Sequence, residues 1–140
     1  MKVLLSIKPE FAERIFDGSK RFEFRRSVFR DRSVRTVVLY VTQPVGMIMG
    51  EFDVARIITE TPASLWERTA AFAGISREFF DRYFEGRSTA SAIEVAEARR
   101  FASPVEPASA IENFTAPQSH MYVSDELGRV RVDERQYDLL

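Results

Sequence analysis

The stretch Gly18-Ser19-Lys20-Arg21-Phe22-Glu23-Phe24-Arg25 places a lysine, a carboxylate and an arginine close together in the chain. Charge alternates with aromatic from Lys20 to Arg26, and a period of two marks a strand. Phe22 and Phe24 are then expected to face the core, and Glu23 and Arg25 to share the opposite face. A carboxylate so placed orients the cations, and the cations hold an anion such as phosphate. The same pattern also describes an ordinary surface ion-pair strand, which contributes little.

A second set is Pro117-Gln118-Ser119-His120-Met121-Tyr122. Gln118 and Ser119 at a strand start can bond a base edge or a phosphate, or simply satisfy a turn. Alternation places His120 opposite Ser119, so only one of the two is expected to face a cleft. Tyr40, near a strand end, is a further polar candidate.

Other chemistries are disfavoured. The chain has no cysteine and one histidine, His120. Disulfides, thiolate nucleophiles and multi-His metal sites drop out, and a Ser-His-Asp hydrolase is a weak fit. No metal and no cofactor are expected. No apolar run reaches the roughly 18 residues of a membrane helix, and the start is too short for a signal peptide. A cytoplasmic address is the expectation.

With 140 residues, 45% of them hydrophobic and 12 of them Phe, the sequence fits one globular domain with a sizeable core. Its net charge of −1 hides an asymmetry. Between Lys20 and Arg35 stand Lys20, Arg21, Arg25, Arg26, Arg30, Arg32 and Arg35 against only Glu23 and Asp31. The Arg25 to Arg35 segment is the best electrostatic candidate for tracking a phosphate backbone, or else a solvated loop. Lysine occurs only at positions 2, 8 and 20. Arginine suits planar contacts to phosphate, although genome composition explains the same bias.

The elements that must position these residues follow from periodicity and punctuation. Val3 to Ile7 reads as a buried strand. Pro9 opens a helix that Gly18 ends. Val34 to Val41 and Val45 to Ile58 read as strands, with Gly46 and Gly50 marking bulges or close backbone approach. Thr61 and Ser76 cap two helices that stop near Gly74 and Gly86. Phe79, Phe80, Tyr83 and Phe84 form an apolar helical stripe expected in the core, and Trp66 is ambiguous between core and a base-stacking surface. Thr89 to Ala98 is a strand, Ser103 to Pro107 a turn, Ala108 to Glu112 a helical turn and Gln118 to Val123 a strand. Arg129 to Val132 is a candidate hairpin partner for it, and residues 136–140 should fray. Consecutive middle strands without crossover helices argue against a dinucleotide-binding fold. The expected class is α+β: a small mixed sheet curled into a pseudo-barrel, with helices packed at its ends.

Ile7-Lys8-Pro9-Glu10, Ile15 to Lys20 and Phe22 to Arg26 resemble the ASCH domain, a relative of PUA-type RNA-binding domains. Its GxKxxExR signature is matched by Gly18, Lys20, Glu23 and Arg25. The resemblance extends through Val34 to Glu51 and the two helices to Ala116-Pro117-Gln118-Ser119. It implies a PUA-like domain over residues 1–125 and a C-terminal extension over 126–140.

The resemblance further implies an RNA- or nucleotide-binding protein, linked to translation or RNA metabolism, with the signature lining a cleft. Lys20, Glu23, Arg25, Arg26, Gln118 and Ser119 are the expected nucleic-acid contacts. One alternative is a metal-independent ribonuclease or modified-nucleoside hydrolase in the same cleft, with Lys20, Glu23 and Ser119 as catalytic candidates. Lys20 can act as a base there if burial or nearby arginine lowers its pKa. The family's amidohydrolase branch places a threonine where this chain has Glu23. It also needs a helical glutamate where Ala71 to Gly74 stand; Glu67 or Glu78 fits only under a shifted alignment. A protein-interaction module is the other alternative. RNA or a nucleotide is the expected partner, with no membrane, in a monomer or homodimer.

Overall fold

Strands that are apolar on both faces need cover on both sides. In the computed structural model, which describes residues 1–127, that cover comes from helices on one face and from a helix and a loop on the other. The elements are β1 (Lys2–Ile7), α1 (Pro9–Asp17), β2 (Phe22–Arg25), β3 (Thr36–Val41) and β4 (Met47–Glu60). They continue with α2 (Pro62–Thr69), a short 3-10 turn (Ala70–Phe72), α3 (Arg77–Tyr83), β5 (Ala90–Val105), α4 (Pro107–Ala110) and β6 (His120–Val123). The expected order is recovered. The helix from Thr61 turns 3-10 for its last stretch.

One sheet runs β2-β5-β4-β3-β1-β6 among the described residues. β1 and β3 are parallel and the other pairs antiparallel. Val3, Leu5 and Ile7 of β1, with Val37, Leu39 and Val41 of β3, face a core closed by α1 and by Phe29 and Val34 of the 26–35 loop. Leu4, Val38 and Tyr40 face the other way, into a core shared with Val105 and Val123. Farther along that second face, Phe24, Ile58 and Ala92 meet Leu65 of α2 and Phe80 and Phe84. Alternate residues therefore enter different cores, which is why the strands read as unbroken apolar runs.

Two expectations change. The sheet is not closed into a barrel, because no backbone pairing joins its edges β2 and β6. β2 is only four residues long. The chain then leaves as a loop whose buried Phe29 plugs the gap, and the Asp31 N–H bonds the Tyr122 hydroxyl at 3.1 Å. Ser103, Pro104 and Val105 belong to β5 rather than to a turn. The pairing jumps from Gly50↔Arg100 to Ile48↔Val105, so the ladder is interrupted where Pro104, which has no N–H to donate, must fit. The irregularity at Gly50 meets the expectation of close approach: a Cβ there would lie 2.6 Å from the Phe16 ring. The Arg129–Val132 hairpin and the fraying at 136–140 lie outside the described residues, as does the extension beyond residue 127.

Candidate functional site

α1 ends at Gly18, which sits at φ 87 and returns its N–H to the Ile15 carbonyl. Glycine takes that left-handed geometry without strain. The turn sends Lys20 inward, with its backbone N–H on the Arg14 carbonyl at 2.9 Å, while the Arg21 N–H binds the Phe72 carbonyl at 2.8 Å. Lys20 is only 1% exposed. A buried lysine is rare unless its ammonium is partnered. Here Nζ donates to the Ala73 carbonyl at 2.8 Å and lies 3.8 Å from Glu23 Oε1. It also stands over the Phe24 ring at 4.9 Å and the Phe11 ring at 5.5 Å.

The stem of Lys20 runs along Gly74. A Cβ on Gly74 would lie 2.5 Å from Lys20 Cγ, and φ there is +67. Glycine at this position therefore does two things: it permits the turn between α2 and α3, and it leaves room for the lysine.

Glu23 is 6% exposed and takes Arg25 on Oε2 at 2.9 Å. The same guanidinium donates to the Ser6 carbonyl at 2.7 Å and the Ser119 carbonyl at 3.5 Å. Arg25 Nε is buried with no acceptor among the described residues. Arg25 thus ties edge strand β2 to the end of β1 and to the segment before β6. Contrary to the expectation of one polar face and one core face, both faces of β2 are covered. Phe24 enters the core beneath α3, while Glu23 enters a polar pocket.

Burial pushes the Lys20 ammonium down to about 8; Glu23 opposes that shift, and Arg14 and Arg25 add to it. A fraction of Lys20 is therefore neutral near physiological pH. Such a lysine satisfies the pKa requirement for a general base.

Lys20, Glu23 and Arg25 line one cavity of about 210 Å³ with Ser6, Lys8, Phe11, Phe79 and Tyr83. Its wall is aromatic. Phe11 meets Phe79 edge-on at 5.3 Å, and Phe79 and Tyr83 lie nearly parallel, 16° apart, with centroids at 6.4 Å. Phe79 and Tyr83 thus depart from the core expected for their stripe. Phe80 and Phe84 are buried, but these two are half-buried because α3 turns their edge of the stripe toward the cavity. Trp66 is half-buried against Phe80 at 5.0 Å.

The remaining candidates are more dispersed. Arg26 is exposed, stacks over Tyr83 at 4.2 Å and donates to the Tyr83 carbonyl at 2.8 Å. It stands at the outer end of the aromatic row. Ser119 reaches Arg25 through its carbonyl, and Gln118 is exposed; neither lines the cavity. Ser119 Oγ lies 3.3 Å from His120 Nδ1, so the two side chains adjoin rather than oppose. Alternation fails there because β6 begins only at His120. Tyr40 packs on Phe114 at 5.1 Å on the other face of the sheet. Glu67 and Glu78 are exposed and outside the cavity. A larger cavity of about 450 Å³ between α4 and β6 contains none of these candidate residues.

The sequence matches the ASCH domain family over residues 5–105, and the chain belongs to that family. It is 29% identical over 131 residues to an ASCH domain-containing ribonuclease of Zymomonas mobilis, covering 89% of this chain and 86% of that protein. The crystal structure of ASCH from Zymomonas mobilis superposes with a TM-score of 0.85 at 28% identity, covering 94% of each chain. The fold is therefore α+β and PUA-like. The N-terminal domain of Staphylothermus marinus McrB shares the fold alone, with a TM-score of 0.60 at 13% identity over 93% of each chain. No described helix is long and apolar enough to cross a membrane.

Proposed function

We propose that this chain acts on RNA by taking one unstacked nucleotide into the Lys20–Glu23–Arg25 cavity. The observation that carries the reading is a buried lysine and carboxylate on the floor of an aromatic-walled pocket of about 210 Å³. Proteins that recognise single-stranded RNA splay bases out and stack them on aromatic rings, reading the polar edge with hydrogen bonds. Phe79 and Tyr83 offer the ring surface. Glu23 Oε1 stands 3.8 Å from Lys20, too long for a hydrogen bond, so this oxygen retains capacity to accept an N–H from a base. Lys8, exposed at the cavity wall with Nζ 5.5 Å from the Phe79 ring, supplies positive charge for the phosphate at the entrance. Arg26 extends that charge beyond Tyr83. Arg25 positions Glu23 and the Ser119 segment. Gln118 and Ser119 then contact the strand outside the pocket.

Strand cleavage is the second reading. Two features favour it: the Zymomonas mobilis relative bears the name ribonuclease, and burial pushes the Lys20 ammonium down to about 8. Attack of the 2′-hydroxyl on the adjacent phosphorus needs a base for the hydroxyl proton and a cation for the phosphorane charge. Neutral Lys20 can take that proton, and Lys8 can face the charge. Transesterification of this kind conserves atoms within the RNA and leaves a cyclic phosphate and a 5′-hydroxyl. Hydrolysis of a modified nucleoside is less favoured: among the described residues Glu23 is the one carboxylate lining the cavity, and Arg25 holds its Oε2.

The test is end-labelled single-stranded RNA with wild type and Lys20→Met, with chelator present, on native and denaturing gels. A shifted band with wild type that weakens in the variant supports nucleotide capture. Cut RNA with wild type only adds catalysis by Lys20. Equal binding by both proteins overturns the placement in this cavity. Absence of binding by wild type removes the RNA reading and leaves the interaction module.

A further inference from the structure

A second cleft lies where the 26–35 loop passes β4. Its volume is about 280 Å³, and its lining includes Arg32, Arg35 and Arg56 around Val34, Val54 and Ile57. All three arginines are exposed. Arg56 is far from the other two in sequence, and no aspartate or glutamate stands among the lining residues.

Two of the three are held in place. Arg32 donates to the Phe29 carbonyl at 2.8 Å, which fixes its guanidinium against its own loop. Arg56 is bound through Nε by Glu94 at 2.7 Å, an arrangement that orients the planar group while cancelling one charge. The Arg35 side chain has no hydrogen bond or ion pair among the described residues, although its backbone carbonyl is fixed by the Val54 N–H at 2.8 Å. The cleft therefore keeps a net positive charge and a free guanidinium. Planar, weakly hydrated guanidinium groups suit the tetrahedral anion of a phosphodiester.

Its position gives the ligand class. Thr59 lines the cleft, and its hydroxyl bonds Ser91 Oγ at 2.8 Å. Thr59 pairs with Ser91 across β4–β5, and Ser91 pairs with Arg25 across β5–β2. Directly opposed residues share a sheet face. Thr59, Ser91 and Arg25 thus form one row on the same face, spanning two strand spacings or about 10 Å. At one end stands the arginine cleft, and at the other the Arg25 wall of the nucleotide cavity. Ser91, in the middle of the row, is buried, so a polynucleotide with one base in the cavity would pass over it to set a neighbouring phosphate at the cleft.

We propose that Arg32, Arg35 and Arg56 form a phosphate subsite for single-stranded RNA, engaging a phosphodiester next to the captured nucleotide. This rests on the proposed capture of a nucleotide in the Lys20–Glu23–Arg25 cavity and adds a direction for the strand across the sheet.

The test titrates 2′-fluoro RNA oligomers of one to four nucleotides, which lack the attacking hydroxyl, against wild type and the Arg32→Gln/Arg35→Gln double variant. Thermal melting checks that the variant folds. Wild-type affinity should rise with length by on the order of tenfold beyond the mononucleotide. The variant should bind the mononucleotide like wild type and lose that gain. Its salt slope on the trinucleotide should shrink by about 0.7 for each phosphate no longer neutralised. Equal trinucleotide affinity in the two proteins overturns the subsite. An inorganic phosphate titration in which the same residues bind phosphate but confer no gain with RNA length also overturns it. Failure of wild type to bind the mononucleotide, with the length gain still abolished in the variant, counts against the cavity reading and supports the cleft.

Discussion

Arg25 and Ser6 stand on strands that never pair, yet the guanidinium of one donates to the carbonyl of the other at 2.7 Å. That bond, with the Arg25–Glu23 ion pair at 2.9 Å, draws the edge of the sheet over the end of β1 and makes a cavity from an open sheet. Arg25→Ala removes both and leaves Glu23 buried with only Lys20 beside it. Breaking a buried pair from one side costs about 3–5 kcal/mol. Urea unfolding should show a loss of that order. Arg25→Lys should recover only part of it, since an ammonium cannot reproduce the fork. A change below about 0.5 kcal/mol would show that the seam is held elsewhere.

Gly74 is the backbone side of the same construction. Gly74→Ala places a methyl against Lys20 and an alanine in the left-handed region. Strain and overpacking together should cost about 2–4 kcal/mol in unfolding free energy. A neutral substitution would mean that Lys20 is free to move aside.

Lys20 makes stability depend on pH with a definite sign. Its folded pKa of about 8 lies below its usual value of 10.5, so between those values the unfolded chain binds more protons. Stability contributed by this group is lowest below pH 8 and rises as pH passes from 8 to 10.5. Relative to Lys20→Met, wild type should gain on the order of 3 kcal/mol over that window. Paired urea titrations at pH 7 and pH 10 measure the difference. A constant gap between the two proteins would show that the lysine is not desolvated.

Phe79 and Tyr83 should separate folding from binding. Both are half-buried, and Phe80 anchors α3 in the core. Phe79→Ala and Tyr83→Ala should each weaken single-stranded RNA binding by about 1–3 kcal/mol, the range for loss of a base stack. Fluorescence anisotropy with labelled RNA reads this, and melting curves monitor the fold. RNA affinity unchanged in both variants would show that Phe79 and Tyr83 do not stack on the bound base.

The fold was largely legible because each local signal agreed with its neighbours. Pro9 and Gly18 bracket α1, Thr61 and Ser76 accept the expected capping hydrogen bonds, and period two finds β2. Pro104 misled because a proline reads as a turn unless a register break in the partner strand is known. Part of the candidate site's geometry was legible too. Gly18, Lys20, Glu23 and Arg25 stand in one short motif; Gly18 ends α1, and the other three line one cavity. The burial of Lys20 was not, since lysine is ordinarily exposed and only Gly74, far along the chain, makes space for it. Phe79 and Tyr83 were hidden because helical spacing shows that a stripe is apolar but not that one edge of it lines a cavity. The local charge run already marked Arg32 and Arg35, but Arg56 joins them only where the 26–35 loop passes β4, which no local pattern encodes.

Amide chemical shifts of labelled protein, followed as a short single-stranded RNA is added, locate the bound strand on the fold. The largest changes are expected at residues 20–25, 73–75 and 79–83, with smaller ones at Arg35 and Arg56. Saturable binding whose shifts avoid all three of those segments would contradict capture in the Lys20–Glu23–Arg25 cavity.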